Sequence, residues 1–466
     1  MKITFDDIAR EIGAGILSKG PVPEATNVSI DTRTLKAGDL FIAIKGPHFD
    51  GHEFIKDAIS KGASGVIQSE GHALKNAKTP VWNIQVKDTV KALGDIAALW
   101  RRMNDFVCVA VTGSNGKSTT KEMIYAGLTA SGMRRAVKTE GNFNNLIGMP
   151  LQLLRVDAGT EVAILEMGMN AEGEIRRLAE IARPDVGIIT NVNPAHLEKL
   201  QTVENVARAK GELFDAMPKD RTVIINAEDP WAVKLGESYP GRKIKFGMQN
   251  GCDVQFGRMA SEGLDRTDMT FYVKGREYAM SLPLPGVHNV MNALAAISVG
   301  VAMGINPLMM IVGLESFSAM KMRFERMQLQ NGVQLINDSY NANPSSMFAA
   351  LRTVGAAKRA GRFIAVLGDM LELGEASGEK HKELGENAAK FGVELLYVIG
   401  NFADDVVKGA ISGGIKKEHV VKSSSHDDIK KALLKIVKAG DIVLVKGSRG
   451  MKMEQVAEYL KNEIGV

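Results

Sequence analysis

The stretch "VAVTGSNGKSTTKEM", residues 109–123, decides the fold. An apolar run of strand character ends at Val111, Gly113-Ser114-Asn115-Gly116 makes a turn, and a helix opens at Lys117. That order aims several backbone N–H groups at one point, and the helix dipole and the Lys117 ammonium favour an anion there. The usual phosphate loop, G-x-x-x-x-G-K-[ST], needs Gly at 111, where this chain has Val, so T-G-S-N-G-K-S-T is a shortened variant. The spacing predicts that Thr112, Gly113, Ser114, Asn115, Gly116, Lys117, Ser118 and Thr119 cradle the phosphates of a nucleoside triphosphate. The Ser118 hydroxyl is then placed for a phosphate-bound Mg²⁺. A plain helix start is the competing reading; the strand before and the helix after favour the cradle.

Outward from this loop, "FVCVAVTG", "EVAILEMG", "VGIITNV" and "RTVIINAED" are apolar runs, each ending in a polar or Gly-containing turn, with helical patterns between most of them. This predicts a parallel sheet covered on both faces. "CDVQFGRM" and "MTFYVKGREYAMSLPLPG" read as antiparallel strands added to it, and a helix from about Asn289 to Met303 closes the block. Later, "VQLIND", "RFIAVLGD", "ELLYVIG" and "DIVLVKGS" predict a second open parallel sheet, with no G-x-G-x-x-G after any strand to argue for a dinucleotide. The expected fold class is α/β in three domains. A small α/β N-terminal module spans 1–103, a central parallel-sheet P-loop ATPase domain 104–317, and a C-terminal Rossmann-like open parallel sheet 318–466.

Ligands of open parallel sheets gather at the carboxyl ends of the strands, and polar residues cluster there. Glu166 follows "EVAIL" directly, where a carboxylate beside a phosphate loop holds the nucleotide's Mg²⁺. His196 in "NVNPAHLEKL" lies past another strand end and reads either as a metal or phosphate ligand or as a surface residue. In "VENVARAKGELFDAM", Lys210 falls on the apolar stripe of Val203, Val206, Leu213 and Met217. It either snorkels or stands in the cleft, where a carbamate would make it anionic. Asn289 and Asn292 cap their helix or meet a base edge; Asp338 in "NDSYNANPSSM" belongs to a turn or touches a ligand.

Composition narrows the class. Of 466 residues, 45% are hydrophobic and 24% charged, as in soluble multidomain proteins. A net charge of +4 gives no basic stripe, so no nucleic-acid partner is expected. The two cysteines, Cys108 and Cys252, suggest neither disulfide nor metal cluster, which suits a reducing cytoplasm. "LAAISVGVAMGI" is too short to span a bilayer, so no membrane insertion is expected.

Taken together, "TGSNGKSTT", Glu166 in "LEMG", His196, Lys210 in "RAKGELF", Asn289 in "GVHNVMNA" and Arg323 in "KMRFERM" resemble the Mur ligase family, the ATP-dependent amide ligases of peptidoglycan synthesis. Within it, "SIDTRTLKAGDLFIAIKGPHFDGHEFI", "GNFNNLIGMP", "NDSYNANPSSM" and "LGDMLELG" resemble the member that joins D-alanyl-D-alanine to UDP-N-acetylmuramoyl-tripeptide. The resemblance implies ATP and Mg²⁺ as cofactors and an acyl-phosphate intermediate. It implies that Lys117, Glu166, His196 and Lys210 are catalytic, with Ser118, Glu166, His196 and a carbamylated Lys210 on metal. Asn289, Arg323 and Asp338 would bind ATP. Ser29, Asp31, Thr32 and Arg33 would bind the UDP part, Asn142 and Asn145 the sugar-peptide side, and Lys446, Ser448 and Arg449 the incoming dipeptide. A cytoplasmic monomer is expected. The rivals are a folylpolyglutamate synthetase-like ligase and a non-ligase P-loop ATPase.

Overall fold

The computed structural model describes residues 2–72, 80–133, 135–357 and 360–466. Among them, three large sheets follow one another along the chain, besides a two-stranded pair formed by Ile3–Thr4 and Glu24–Ala25. The first has five strands, in the order Gly15–Ser18, Trp82–Val86, Gly65–Ser69, Leu40–Ile42, Val28–Ser29, parallel except for Gly15–Ser18 at its edge.

The central sheet has nine strands. From Ala136–Lys138 at one edge it runs through Val162–Glu166, Val107–Thr112, Val186–Ile189, Thr222–Asn226 and Arg242–Gly247, all parallel. Val254–Glu262, Thr267–Val273 and Arg276–Leu282 extend it as an antiparallel meander. Alternation explains why both faces are covered. Cys108, Ala110, Ala163 and Leu165 join one buried cluster, and Val109, Val111, Val162 and Ile164 the opposite one. Ile164→Ala would cost about 2–5 kcal/mol, a large share of a domain's net stability, so these strands form a fixed floor for the residues at their tips.

The third sheet runs Glu325–Gln328, Gln334–Asp338, Ile442–Lys446, Phe363–Gly368, Leu395–Ile399, Val420–Lys422. It departs from the expected all-parallel sheet, because Glu325–Gln328 pairs antiparallel at one edge. The sequence reading also passed over Ala136–Lys138, Arg242–Gly247 and Val420–Lys422, which are too short or too charged to stand out as apolar runs. The loop strand extends one residue past Val111, to Thr112, and the helix expected from Asn289 starts at Val287.

The helix Thr89–Met103 links the first two sheets. Asp88 caps it by accepting from the Val90 and Lys91 N–H groups, and its Leu93, Ile96 and Trp100 join the core of both. Trp100 donates to the Val156 carbonyl at 2.8 Å, in the loop before the strand Val162–Glu166, so this helix is also bonded to the central unit. No described helix is long and apolar enough to cross a membrane, and Cys108 is a fully buried free thiol.

Candidate active site

The carboxyl ends of the central and third sheets face a common cavity of about 670 Å³. Strand register places its first residues: Glu166 is the partner of Val111, so the carboxylate stands beside the phosphate loop. Two glycines shape that loop. A Cβ on Gly113 would collide with Thr190 Oγ1, and one on Gly116, which takes a left-handed φ of 79°, would collide with Asn292 Oδ1. The helix Lys117–Ala130 begins at Gly116 with no side-chain cap, leaving its first N–H groups for an anion. Asn191 braces the turn, accepting from the Asn115 N–H at 2.9 Å, while Ser114 donates to the Asn193 carbonyl. Thr112 frames this loop rather than lining the cavity: it is buried and donates to the Met167 carbonyl.

Lys117 Nζ donates to the Gly113 carbonyl at 2.8 Å. Its pKa is drawn below the usual lysine value by burial, with Glu166 opposing and Arg323 adding to the shift. Glu166 is 2% exposed. Its Oε1 accepts from Asn144 Nδ2 at 2.9 Å, while its buried Oε2 has no hydrogen bond. The Lys121 ammonium lies 3.8 Å from that oxygen but is hydrogen-bonded to the Thr139 carbonyl at 2.6 Å. A buried carboxylate oxygen without a donor, beside the Ser118 hydroxyl and the His196 ring on the same cavity wall, fits a hard divalent cation such as Mg²⁺.

Lys210 does not snorkel. It is 2% exposed on the helix Val203–Ala216, and no hydrogen bond or carboxylate partner of its ammonium is found among the described residues. Its pKa is driven well below the usual value, first by burial and then by the Lys117 charge. His196 lines the cavity with φ 56°, and its Nδ1 lies 2.6 Å from Glu372 Oε2 of the third sheet's unit. That hydrogen bond, opposed by partial burial, holds the Glu372 carboxyl below the usual range.

The third sheet reaches the phosphate loop directly. Arg323 Nη2 donates to Ser118 Oγ at 2.9 Å, its guanidinium lies 4.0 Å over the Tyr340 ring, and its buried Nε has no partner. Asn343 caps the helix Pro344–Ala356 and donates to Asn115 Oδ1 at 2.7 Å. Asp338 is committed to the Phe324 N–H and to Lys446 Nζ, 2.6 Å away. Lys446, expected to meet a dipeptide carboxylate, is therefore neutralised: register places it directly opposite Asp338 on the neighbouring strand. Ser448 accepts from the Leu371 N–H. Arg449 pairs with Glu454 and stays more than half exposed at the cavity edge.

Asn289 does not cap its helix, whose cap position is Gly286. Its Nδ2 donates to the Pro285 carbonyl at 2.7 Å, and its Oδ1 accepts from Asn292. Asn142 and Asn145 also line the cavity, with Asn145 Oδ1 accepting from the Gly148 N–H. Ser29, Asp31, Thr32 and Arg33 are not brought into this cavity. They form a self-paired turn in which Arg33 holds Asp31 down at about 2. Sequence reasoning missed Asn144, Lys121, Asn343, Tyr340, Glu372 and His288. Several sat inside quoted stretches, but only the fold reveals their partners. His288 lines the cavity with an unpartnered Nδ1, its pKa pushed down to about 4, chiefly by burial.

Such an arrangement, a phosphate loop closed over by a second α/β unit, is that of a phosphate-loop enzyme whose cleft lies between two domains. Comparison with known proteins narrows that class. Residues 24–101 match the model of the Mur ligase family catalytic domain, 111–300 that of the Mur ligase middle domain, and 322–449 that of the Mur ligase glutamate ligase domain. The UDP-N-acetylmuramoyl-tripeptide–D-alanyl-D-alanine ligase of Bacillus subtilis is 36% identical over 99% of this chain and 98% of its own. A crystal structure of MurF from Acinetobacter baumannii superposes with a TM-score of 0.89 at 27% identity, covering 99% of both chains. MurF of Thermotoga maritima in complex with ADP superposes at 0.82 with 30% identity, covering 94% of this chain and 97% of that one. The chain belongs to the Mur ligase family.

Proposed function

We propose that this chain joins D-alanyl-D-alanine to UDP-N-acetylmuramoyl-tripeptide at the expense of ATP, in peptidoglycan precursor synthesis. The observation that carries the chemistry is Lys117 and the donor-free Oε2 of Glu166 on the wall of one cavity. The substrates are argued from the whole-length likeness to the relatives above. The tripeptide carboxylate attacks the γ-phosphorus, releasing ADP and leaving an acyl phosphate. The dipeptide amine attacks the acyl carbon, loses its proton, and expels inorganic phosphate as the amide forms. Charge gathers on phosphate oxygens throughout, so fixed cations and N–H donors do most of the catalysis.

In this reading Lys117 and the loop from Ser114 to Thr119 hold the β- and γ-phosphates, with Thr112 fixing the loop from behind, and Arg323 reaches them from the third domain. Asn289 and Asp338 support the nucleotide end through the contacts described above. Ser118 and Glu166 would hold one Mg²⁺, and Glu166, His196 and Lys210, the last as a carbamate, a second. A bound divalent ion neutralises the phosphate charge and draws the attacking carboxylate close. The burial that lowers the Lys210 pKa well below its usual value favours the neutral amine, the form able to take up CO₂. Ser29, Asp31, Thr32 and Arg33 bind the uridine diphosphate, and Asn142 and Asn145 the sugar-peptide. Arg449 and Ser448 meet the dipeptide carboxylate, with Lys446 behind them through Asp338. The domains divide at 103/104 and 317/318, and the enzyme acts as a cytoplasmic monomer.

The test is a mass-resolved assay with ATP, Mg²⁺, D-alanyl-D-alanine and UDP-N-acetylmuramoyl-tripeptide bearing either diaminopimelate or lysine. One of the two tripeptides should gain the mass of the dipeptide less water, with phosphate released only when all substrates are present. Phosphate release from ATP alone at the full rate would make the chain a non-ligase ATPase. Glutamate transfer to a folate in place of this reaction would make it the other rival.

A further inference from the structure

We propose that Glu372 is the positioning residue for His196, supplied by the third domain, so that the metal site is complete only when that domain is docked. The inference rests on the reading of His196 as a metal ligand. His196 Nδ1 lies 2.6 Å from Glu372 Oε2, and no hydrogen bond to Nε2 is found among the described residues. A carboxylate on Nδ1 keeps the proton there and leaves the Nε2 lone pair for the cavity that the ring lines.

Two rigid turns build this contact. Glu372 follows the strand Phe363–Gly368, and its φ of 65° matches the left-handed conformation of His196 at 56°. The Glu372 carbonyl accepts from the Glu198 N–H at 3.2 Å. The turns approach so closely that a Cβ on Gly374, itself at φ 57°, would sit 3.3 Å from Glu198 Cα. The carboxylate is thus delivered by docked backbone rather than by a long side chain sweeping through solvent. Stability does not explain the pair. The Glu372 side chain is 54% exposed, and exposed ion pairs contribute at most about 1 kcal/mol. Two left-handed non-glycine residues cost about 1–3 kcal/mol each.

The test counts bound Mn²⁺ by electron paramagnetic resonance in the full-length protein saturated with a non-hydrolysable ATP analogue. Affinity for the analogue alone is measured in chelator. His196→Ala should weaken one bound ion. Glu372→Ala should weaken the same ion by about 10–100-fold, leave metal-free analogue affinity unchanged, and add nothing in the His196→Ala background. Glu372→Gln keeps an acceptor for Nδ1–H and should restore most of the affinity. If His196→Ala left both ions unchanged, the metal reading of His196 would fall. If His196→Ala lost an ion that Glu372→Ala kept, the metal reading would stand and this inference would fall. It would also fall if Glu372→Gln bound as poorly as Glu372→Ala, or if Glu372→Ala weakened the metal-free complex equally.

Discussion

Replacing Lys117 by Met separates catalysis from folding. Its Nζ makes one good hydrogen bond, 2.8 Å to the Gly113 carbonyl, and a 3.4 Å contact to the Ser114 carbonyl. The shorter bond contributes about 1 kcal/mol net, and the longer one little. Burial already disfavours this ammonium, so its removal offsets part of that loss. The melting temperature should fall by no more than about 2–4 °C. At the transferring phosphate the effect is larger. Loss of one fixed donor to a developing oxyanion costs about 10²–10³ in kcat, or roughly 3–4 kcal/mol. Phosphate release at saturating ATP, Mg²⁺ and both substrates, with product mass and far-UV dichroism melts alongside, measures both quantities. A kcat within about threefold of the parent, with only KM raised, would mean that Lys117 binds ground and transition states alike. The argument for phosphoryl transfer would then fail.

Lys210→Ala should lose most activity and regain part of it with added short-chain carboxylic acids that fill the gap with a carboxylate; full activity without them would dismiss the carbamate. Because the folded pKa of Lys210 lies well below 10.5, the unfolded chain binds the extra proton between those two values, and stability rises with pH across that window. In CO₂-free buffer Lys210→Met should therefore melt higher at neutral pH and lack that alkaline rise, and an unchanged slope in pH-resolved melts would refute it. His288 has the same sign on the acid side. Its folded pKa of about 4 against 6.5 means stability is lost as pH falls through that interval, by at most about 3 kcal/mol for this half-buried ring. His288→Asn should flatten that part of the acid melt curve, and an equal slope in the variant would count against it.

The strand tips were legible because a buried parallel strand reads as an apolar run and its first polar residue marks the carboxyl end. Glu166, His196 and Asp338 were found that way, and Lys210 by its conflict with an apolar stripe. Register was not legible. Nothing in "VQLIND" and "DIVLVKGS" says that Asp338 and Lys446 stand opposite each other and neutralise one another. Docking was not legible either. Arg323 meets Ser118 across 205 positions of sequence, and nothing in "NDSYNANPSSM" says that the Asn343 side chain reaches Asn115. The first-domain turn shows the opposite limit: Ser29 to Arg33 were placed by resemblance, and their contacts include those to one another and to Lys61, which donates to the Thr32 carbonyl.

Four non-glycine residues with left-handed φ gather where the second and third domains meet: His196 and Glu372 in one contact, and Met322 and Phe324 on either side of Arg323. At about 1–3 kcal/mol each, their combined strain approaches the roughly 5–15 kcal/mol that holds a domain folded. Nothing local requires it, since none of the four is a glycine and ordinary turns could carry the same chain. What the strained backbone achieves is placement. The kink at 322–324 sets the Arg323 guanidinium over Tyr340 and against Ser118, and the turns at 196 and 372 bring an imidazole to a carboxylate. Most of the unpartnered buried atoms among the described residues fall in the same place: Glu166 Oε2, Arg323 Nε, Asn115 Nδ2 and His288 Nδ1 surround this cavity, and Glu454 Oε2 lies apart from it. Strain and unmet polarity both lower the stability of the protein alone, and contacts to a ligand entering between the domains would offset both. A charged nucleotide and its cation would meet those demands together, which ties the docking of the third domain to the proposed chemistry as much as to the fold.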